Sequence, residues 1–300
     1  MKSLFSQFSM VVALLGVVGW SSSASAVDKL PVVASFSILG DLVTIVGGDR
    51  ITVTTLVAAD SDAHIFEPKP AHVKSIAQAR LLVVNGLGFE PWAAKLAKSA
   101  GYQGDTMVAT QGVQPLSMTE DGKKSLDPHA WQNPRNVIIY VRNIAAALTK
   151  LDPAGAVQFR GHSESYIKEL EALDIWATGQ FAVVPQAKRK VITSHDAFGY
   201  FAAHYQITFL APQGMSTESE PSAKQVAQLI RQIKAEKIKA VFVENMTNAK
   251  LLAQLAKDAG VVPGATLYAD ALSAADKPGA SYLQMMRHNI TQLAAGMLKN

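Results

Sequence analysis

From Val27 onward, short uninterrupted apolar runs alternate with longer segments in which apolar residues recur every third or fourth position. This is the pattern of buried strands set between half-buried helices. In the first half, strands are predicted over Pro31 to Ser37, Ile51 to Val57 and Leu81 to Asn85, with a weaker one over Thr106 to Ala109. Helices are predicted over Ile38 to Val46, closed by Gly47-Gly48, over about Pro70 to Ala79, and around Trp92 to Ser99. Gln111 to Ser125 is polar and keeps neither period, so it is read as irregular.

Two helical segments come next. Asn136 to Leu151 carries Val137, Ile138, Val141, Ile144, Ala145 and Leu148 on one face. Asp152-Pro153 breaks it, and a second helix runs from about Ala154 to Phe181. At about 1.5 Å per residue this helix reaches roughly 40 Å, more than the width of one small lobe, which makes it a strut rather than a crossover. Beyond it the alternation resumes. Strands are predicted over Lys190 to Ser194, Ile207 to Leu210, Ala240 to Val243 and Ala265 to Tyr268. Helices are predicted over Gly199 to Tyr205, after the Ser222/Gln225 capping box, over Lys250 to Ala259 and over Tyr282 to Lys299. The expected fold is α/β: two lobes, each with a mostly parallel four-stranded sheet, joined by one long helix. The expected divisions are a leader over 1–26, a first lobe over 27–152, the joining helix over 153–182 and a second lobe over 183–300.

Composition narrows the setting. Lys2, the apolar run from Met10 to Trp20 and the small residues Ala24-Ser25-Ala26 form a signal peptide with cleavage expected near Ala26. No later apolar run has the length of a membrane span. The chain has no cysteine, which excludes disulfides, thiolate chemistry and lipidation of an N-terminal cysteine. A free periplasmic protein is therefore expected. The formal charge of +4 is scattered along the chain and falls by one when Lys2 leaves, so the field is too weak for nucleic acid.

Four positions carry the candidate chemistry. His64 lies in Asp62-Ala63-His64-Ile65-Phe66-Glu67-Pro68, and His129 in Asp127-Pro128-His129-Ala130-Trp131-Gln132-Asn133-Pro134. His195 follows one predicted strand in Thr193-Ser194-His195-Asp196, and Asp270 follows another in Tyr268-Ala269-Asp270-Ala271. About 65 residues separate each histidine from the next, so only a fold that gathers loops can unite them. All four fall at or beyond the carboxyl ends of strands, the edge where open α/β sheets place ligands. Three imidazoles and a carboxylate complete a four-coordinate shell for a divalent transition metal. Asp62, Asp127 and Asp196 are candidates to accept the second N–H of a ligating ring. Glu244-Asn245 also ends a strand beside the expected cleft, where supporting the site, capping a helix and bridging the lobes are all open readings.

Asp276 competes with Asp270 for the fourth place. His72, His162, His204 and His288 fall within helices and read as ordinary packed or solvated histidines. Glu218 and Glu220 read as part of the turn before Ser222 or of a docking surface. Asn85-Gly86-Leu87-Gly88 is a plain turn, lacking the lysine and spacing of a phosphate loop. Ser194-His195-Asp196 holds the residue types of a hydrolase triad, but adjacent residues do not readily assemble one. A binding protein, not an enzyme, is expected. The rivals are an exported zinc hydrolase, which needs an open coordination position, and a receptor for a chelated metal, which needs a wide cleft lined by Arg or aromatics.

The blocks Asp62 to Pro70, Asp127 to Pro134, Thr193 to Tyr200, Ser216 to Ser222 and Leu267 to Leu272 resemble the substrate-binding proteins of bacterial zinc and manganese ABC transporters. That class includes the zinc-uptake and treponemal metal receptors. The resemblance runs from about Pro31 to the C-terminus. It implies two α/β lobes with the metal between them, and His64, His129, His195 and Asp270 as its ligands. With that donor set, the Irving–Williams bias of nitrogen-rich sites makes zinc the first choice of cargo and manganese the second, and a monomer is expected, with an ABC permease as partner and a periplasmic metallochaperone as a further candidate partner. Relatives that favour manganese often have glutamate where this chain has His195. Many zinc receptors carry a histidine-rich loop before the second ligand, and Gln111 to Ser125 is short and has no histidine.

Overall fold

The core of the first lobe is β1 (Leu30–Phe36), whose last five residues are all buried, as expected of a strand covered on both faces. A computed structural model describes residues 28–120 and 123–300, so the expected leader lies outside the described residues. Beside β1 lie β2 (Ile51–Val57) and β3 (Leu81–Val84), with β4 (Asp105–Val108) beyond β3. The order is β2-β1-β3-β4 and every pairing is parallel. The outer strands β2 and β4 alternate buried or half-buried with exposed residues, as edges do.

The helices of this lobe are α1 (Ser37–Gly47), α2 (Pro70–Gln78), α3 (Ala93–Ser99) and α4 (Pro134–Leu151). Pro70 and Pro134 open α2 and α4, where a missing N–H costs nothing. Asn133 caps α4 by accepting from the Arg135 N–H at 2.9 Å. Polar residues 111–125, expected to be irregular, instead contain an antiparallel hairpin of β5 (Ser117–Glu120) and β6 (Lys123–Leu126). Its strands are short and carry no apolar alternation, so the period gave no warning. The signal was the Asp121-Gly122 dipeptide between them, the favoured hairpin pair. That dipeptide lies outside the described residues.

The long helix α5 (Ala156–Ala182) has 27 residues. Asp152, at its approach, receives two hydrogen bonds from Arg50, at 2.6 and 2.9 Å. The face bearing Phe159, Tyr166, Leu170, Leu173, Ala177 and Phe181 is buried against α1 and α4 on one side and against α9 (Tyr282–Met297) on the other. One apolar cluster consequently runs without a break from Val32 through Leu170 to Met297. No described helix is long and apolar enough to cross a membrane.

The second lobe repeats the first in plan. β7 (Lys190–Ile192) pairs in parallel with β8 (Thr208–Leu210), and single parallel bridges join Ile192 to Val241 and Glu244 to Leu267. The spatial order is again second, first, third, fourth. The third and fourth runs, expected as full strands, hold only bridges because side chains take some of the ladder's donors. Ala240 N–H donates to Asn300, Glu244 N–H to the Ser194 hydroxyl, and Tyr268 N–H to Asn289. α6 (Gly199–Tyr205), α7 (Ala223–Glu236) and α8 (Ala249–Ala259) flank this sheet. Ser222 and Gln225 form the expected capping box on α7, and Gly260, at φ 75°, ends α8 in the left-handed region.

Candidate metal centre

Two turns of the same design present the first pair of histidines. Asp62 accepts from the His64 backbone N–H at 2.9 Å, and Asp127 accepts from that of His129 at 2.9 Å. In each case a short acidic side chain bonds the chain two residues on, fixing a turn just before the imidazole. The two aspartates then diverge. Asp127 Oδ1 also bonds His129 Nδ1 at 2.8 Å, whereas Asp62 Oδ2 turns away to the Thr217 hydroxyl at 2.6 Å.

On the second lobe, His195 follows β7 and is held by Glu244. Glu244 Oε1 accepts from the Ser194 and His195 N–H groups at 2.8 and 3.1 Å, and Oε2 bonds the His195 Nδ1. Of the three supporting aspartates expected, then, Asp127 meets its imidazole. Asp62 holds the His64 backbone and Thr217 rather than the ring, and the group on His195 Nδ1 is Glu244, from 49 residues away. Support of the site was one of the open readings of Glu244 at its strand end, but nothing local in sequence tells which ring it serves.

Asp270 stands among the three rings. Its Oδ2 lies 3.1 Å from His195 Nε2 and 3.2 Å from His64 Nε2, and its Oδ1 lies 3.7 Å from His129 Nε2. One donor atom from each of the four residues falls within 4.8 Å of every other. The rival Asp276 is exposed and outside the cluster. Trp131 Nε1–H and the Gln132 amide both donate to the Ala269 carbonyl, at 2.9 and 2.8 Å, so the His129 segment anchors the backbone next to Asp270. The other four histidines are bonded elsewhere: His72 to Lys69 N–H, His162 to the Val46 carbonyl, His204 to Asp174 and His288 to the Thr266 carbonyl.

The electrostatics are those of a site shaped for a cation. Burial alone would lower the His195 pKa, but the flanking Glu244 and Asp270 carboxylates outweigh it and raise the pKa well above the ordinary 6.5. Burial opposes ionisation of Asp270 too, yet His195 and His129 hold its pKa well below 3.8. The carboxylates on His129 and His195 Nδ1 fix each ring with Nε2 toward Asp270. His64 Nε2, His129 Nε2 and Asp270 Oδ1 are buried with no hydrogen-bond partner. Leaving such atoms unsatisfied costs about 1–3 kcal/mol each, and one divalent cation among them would satisfy all three. The donor set thus fits a metal ion.

The chain is similar to proteins whose names concern metals. Residues 32–296 match the family described as the periplasmic component A of the zinc-uptake complex. The manganese ABC transporter substrate-binding lipoprotein PsaA of Streptococcus pneumoniae is 32% identical over 312 residues, covering 100% of both chains. The iron ABC transporter substrate-binding lipoprotein MtsA of Streptococcus pyogenes is 30% identical over 308 residues, covering 100% of this chain and 99% of its own. A manganese-bound periplasmic metal-binding protein of Candidatus Liberibacter asiaticus superimposes with a TM-score of 0.81 at 29% identity, over 90% of this chain and 100% of that one. With nearly its whole described length matched, the chain belongs to the zinc-uptake complex component A family of periplasmic proteins.

Proposed function

We propose that the chain is a periplasmic receptor that captures one divalent transition-metal ion between His64, His129, His195 and Asp270 and passes it to an ABC permease. The observation that carries this reading is the set of buried, unpartnered atoms, His64 Nε2, His129 Nε2 and Asp270 Oδ1, gathered around one point. Zinc is the first choice of cargo. Three nitrogens and one oxygen suit its four-coordinate habit, and nitrogen-rich sites bind zinc more tightly than manganese or iron. The names of PsaA and MtsA support a second reading, in which manganese or iron is the physiological ion. Raw affinity and cargo part company when the tighter-binding metal is scarce in the compartment.

Metal analysis tests the site and its preference. Protein stripped with chelator and exposed to equal zinc and manganese is expected to retain one equivalent of zinc. Retention of manganese instead would favour the second reading, and retention of neither would sink the zinc and manganese readings.

The family's relatives include named lipoproteins, but none of the 300 residues is a cysteine able to carry the lipid, which supports a free protein after cleavage near Ala26. The lobes we assign to 27–152 and 183–300 contribute two donors each, and the 153–182 segment containing α5 joins them.

Glu244 supports the site through His195. Glu244→Gln keeps an oxygen for the Ser194 and His195 N–H groups but removes the negative charge beside the ring. Zinc affinity is expected to fall by about 10–100-fold, the usual cost of losing such a partner, as read by competition with a chromogenic chelator. Unchanged affinity would reduce Glu244 to a packing role.

A further inference from the structure

Of the four clustered side chains, three are 0% exposed, and His64 alone reaches solvent, at 7%. A cavity of about 370 Å³ ends on His64, walled by Leu87 and Leu126 of the first lobe and by Met215, Ser216 and Glu218 of the second. Of the four donors, His64 alone borders this cavity. Asp62 stands beside it, lining a neighbouring cavity. One oxygen of Asp62 holds the His64 backbone, and the other takes the hydroxyl of Thr217, which lies between two lining residues and 155 positions along the chain. A single carboxylate therefore fastens the turn bearing the one solvent-facing imidazole of the cluster to the second-lobe segment whose residues Ser216 and Glu218 line the cavity.

The other ties of this loop to the second lobe lie elsewhere. Asp60 N–H donates to the Leu272 carbonyl, and the Asp60 carboxylate accepts from Asn245 and Lys277. Unlike Thr217, none of those partners stands next to a residue that lines the cavity.

We propose that the Asp62–Thr217 hydrogen bond is a kinetic latch, which must open for a metal ion to enter or leave past His64. The proposal rests on the metal-receptor reading of the four residues. Asp62 and Thr217 act as positioning residues, since neither supplies a donor atom to the cluster. Removing the Thr217 hydroxyl leaves the donor set intact and lowers the barrier in both directions. The bond is to a carboxylate, which makes it stronger than a neutral one, and its loss should change each rate by on the order of tenfold. Association and dissociation then rise together, and the equilibrium constant moves little. A residue that merely shaped the site would behave differently, raising dissociation alone and weakening affinity in step.

The test is stopped-flow measurement of zinc association with the metal-stripped mature chain, and of zinc dissociation into a competing chelator. Wild type is compared with Thr217→Val and Thr217→Ser. Thr217→Val is expected to raise both rate constants on the order of tenfold with Kd held within about threefold, and Thr217→Ser to restore wild-type rates. Should the valine variant not fold, Thr217→Ala makes the same comparison without added bulk. Unchanged rates, or a faster dissociation matched by an equal loss of affinity, would overturn the latch. A wild-type chain that takes up neither zinc nor manganese would overturn the receptor reading beneath it, and this result is distinguishable from latch failure because it appears before any variant is made.

Discussion

Asp270→Ala is expected to lower zinc affinity by roughly two to three orders of magnitude, measured by chelator competition on metal-stripped protein. Four-ligand zinc sites bind with about 10–16 kcal/mol, so one ligand's share is about 2.5–4 kcal/mol, or roughly 10²–10³-fold. Asp270 also supplies the one carboxylate among the four donors, and its loss would leave three imidazoles to face a doubly charged ion. The backbone should not follow the side chain away, because Trp131 and Gln132 still grip the Ala269 carbonyl. His195→Ala should lose comparable affinity and more folding stability, since it strands the Glu244 carboxylate at 1% exposure. Wild-type zinc binding by the Asp270 variant would dismiss the four-donor site.

Acidification should strip the metal, with His195 setting the range. Its pKa in the metal-free protein is raised well above 6.5, because Glu244 and Asp270 outweigh the effect of burial. The ring therefore carries a proton that an incoming ion must displace. A displaced proton costs up to about tenfold in affinity per pH unit below that pKa, so zinc affinity should fall as the solution is acidified.

Folding stability of the metal-free chain should run the other way. A raised histidine pKa stabilises the fold fully below 6.5, and the benefit fades as pH climbs through the folded value. A depressed aspartate pKa stabilises above 3.8, and the benefit fades as pH falls through its folded value. The pair therefore contributes most between those two ordinary values. Thermal melts with and without zinc should show a large metal-induced rise in Tm at about pH 8 that shrinks toward pH 5.5. A rise independent of pH would argue against a histidine-dominated site.

Local pattern carried most of this molecule. The first sheet was legible because β1 and β3 are buried enough to read as continuous apolar runs, and α7 and α8 because their boundaries sit on capping and turn residues. The hairpin before Asp127 was not, since lysine, serine and threonine mark no period, and the third and fourth strands of the second lobe were overdrawn. There, apolar runs alone could not show that Asn289 and Asn300 side chains replace ladder partners.

The four side chains that cluster were readable as types in context, each past the end of a strand or in the loop that follows it. Which acid serves which ring was not. Asp62 and Asp127 stand at the same distance before their histidines and make the same turn, yet only one reaches its imidazole. The difference comes from Thr217, which draws the Asp62 carboxylate to the far lobe, and a contact over 155 positions leaves no trace in local sequence.

Spacing along the chain has one more consequence. Donors drawn from loops about 65 to 75 residues apart do not meet in an unfolded polypeptide, so the ion recognises the folded state alone. By mass action, ion at about a hundredfold above Kd adds about 2.7 kcal/mol to the stability of the receptor. Cargo status is thereby written into the lifetime of the carrier. Loaded molecules should outlast empty ones under heat and proteolysis, and a cell short of metal would renew its receptors faster than a cell that is replete.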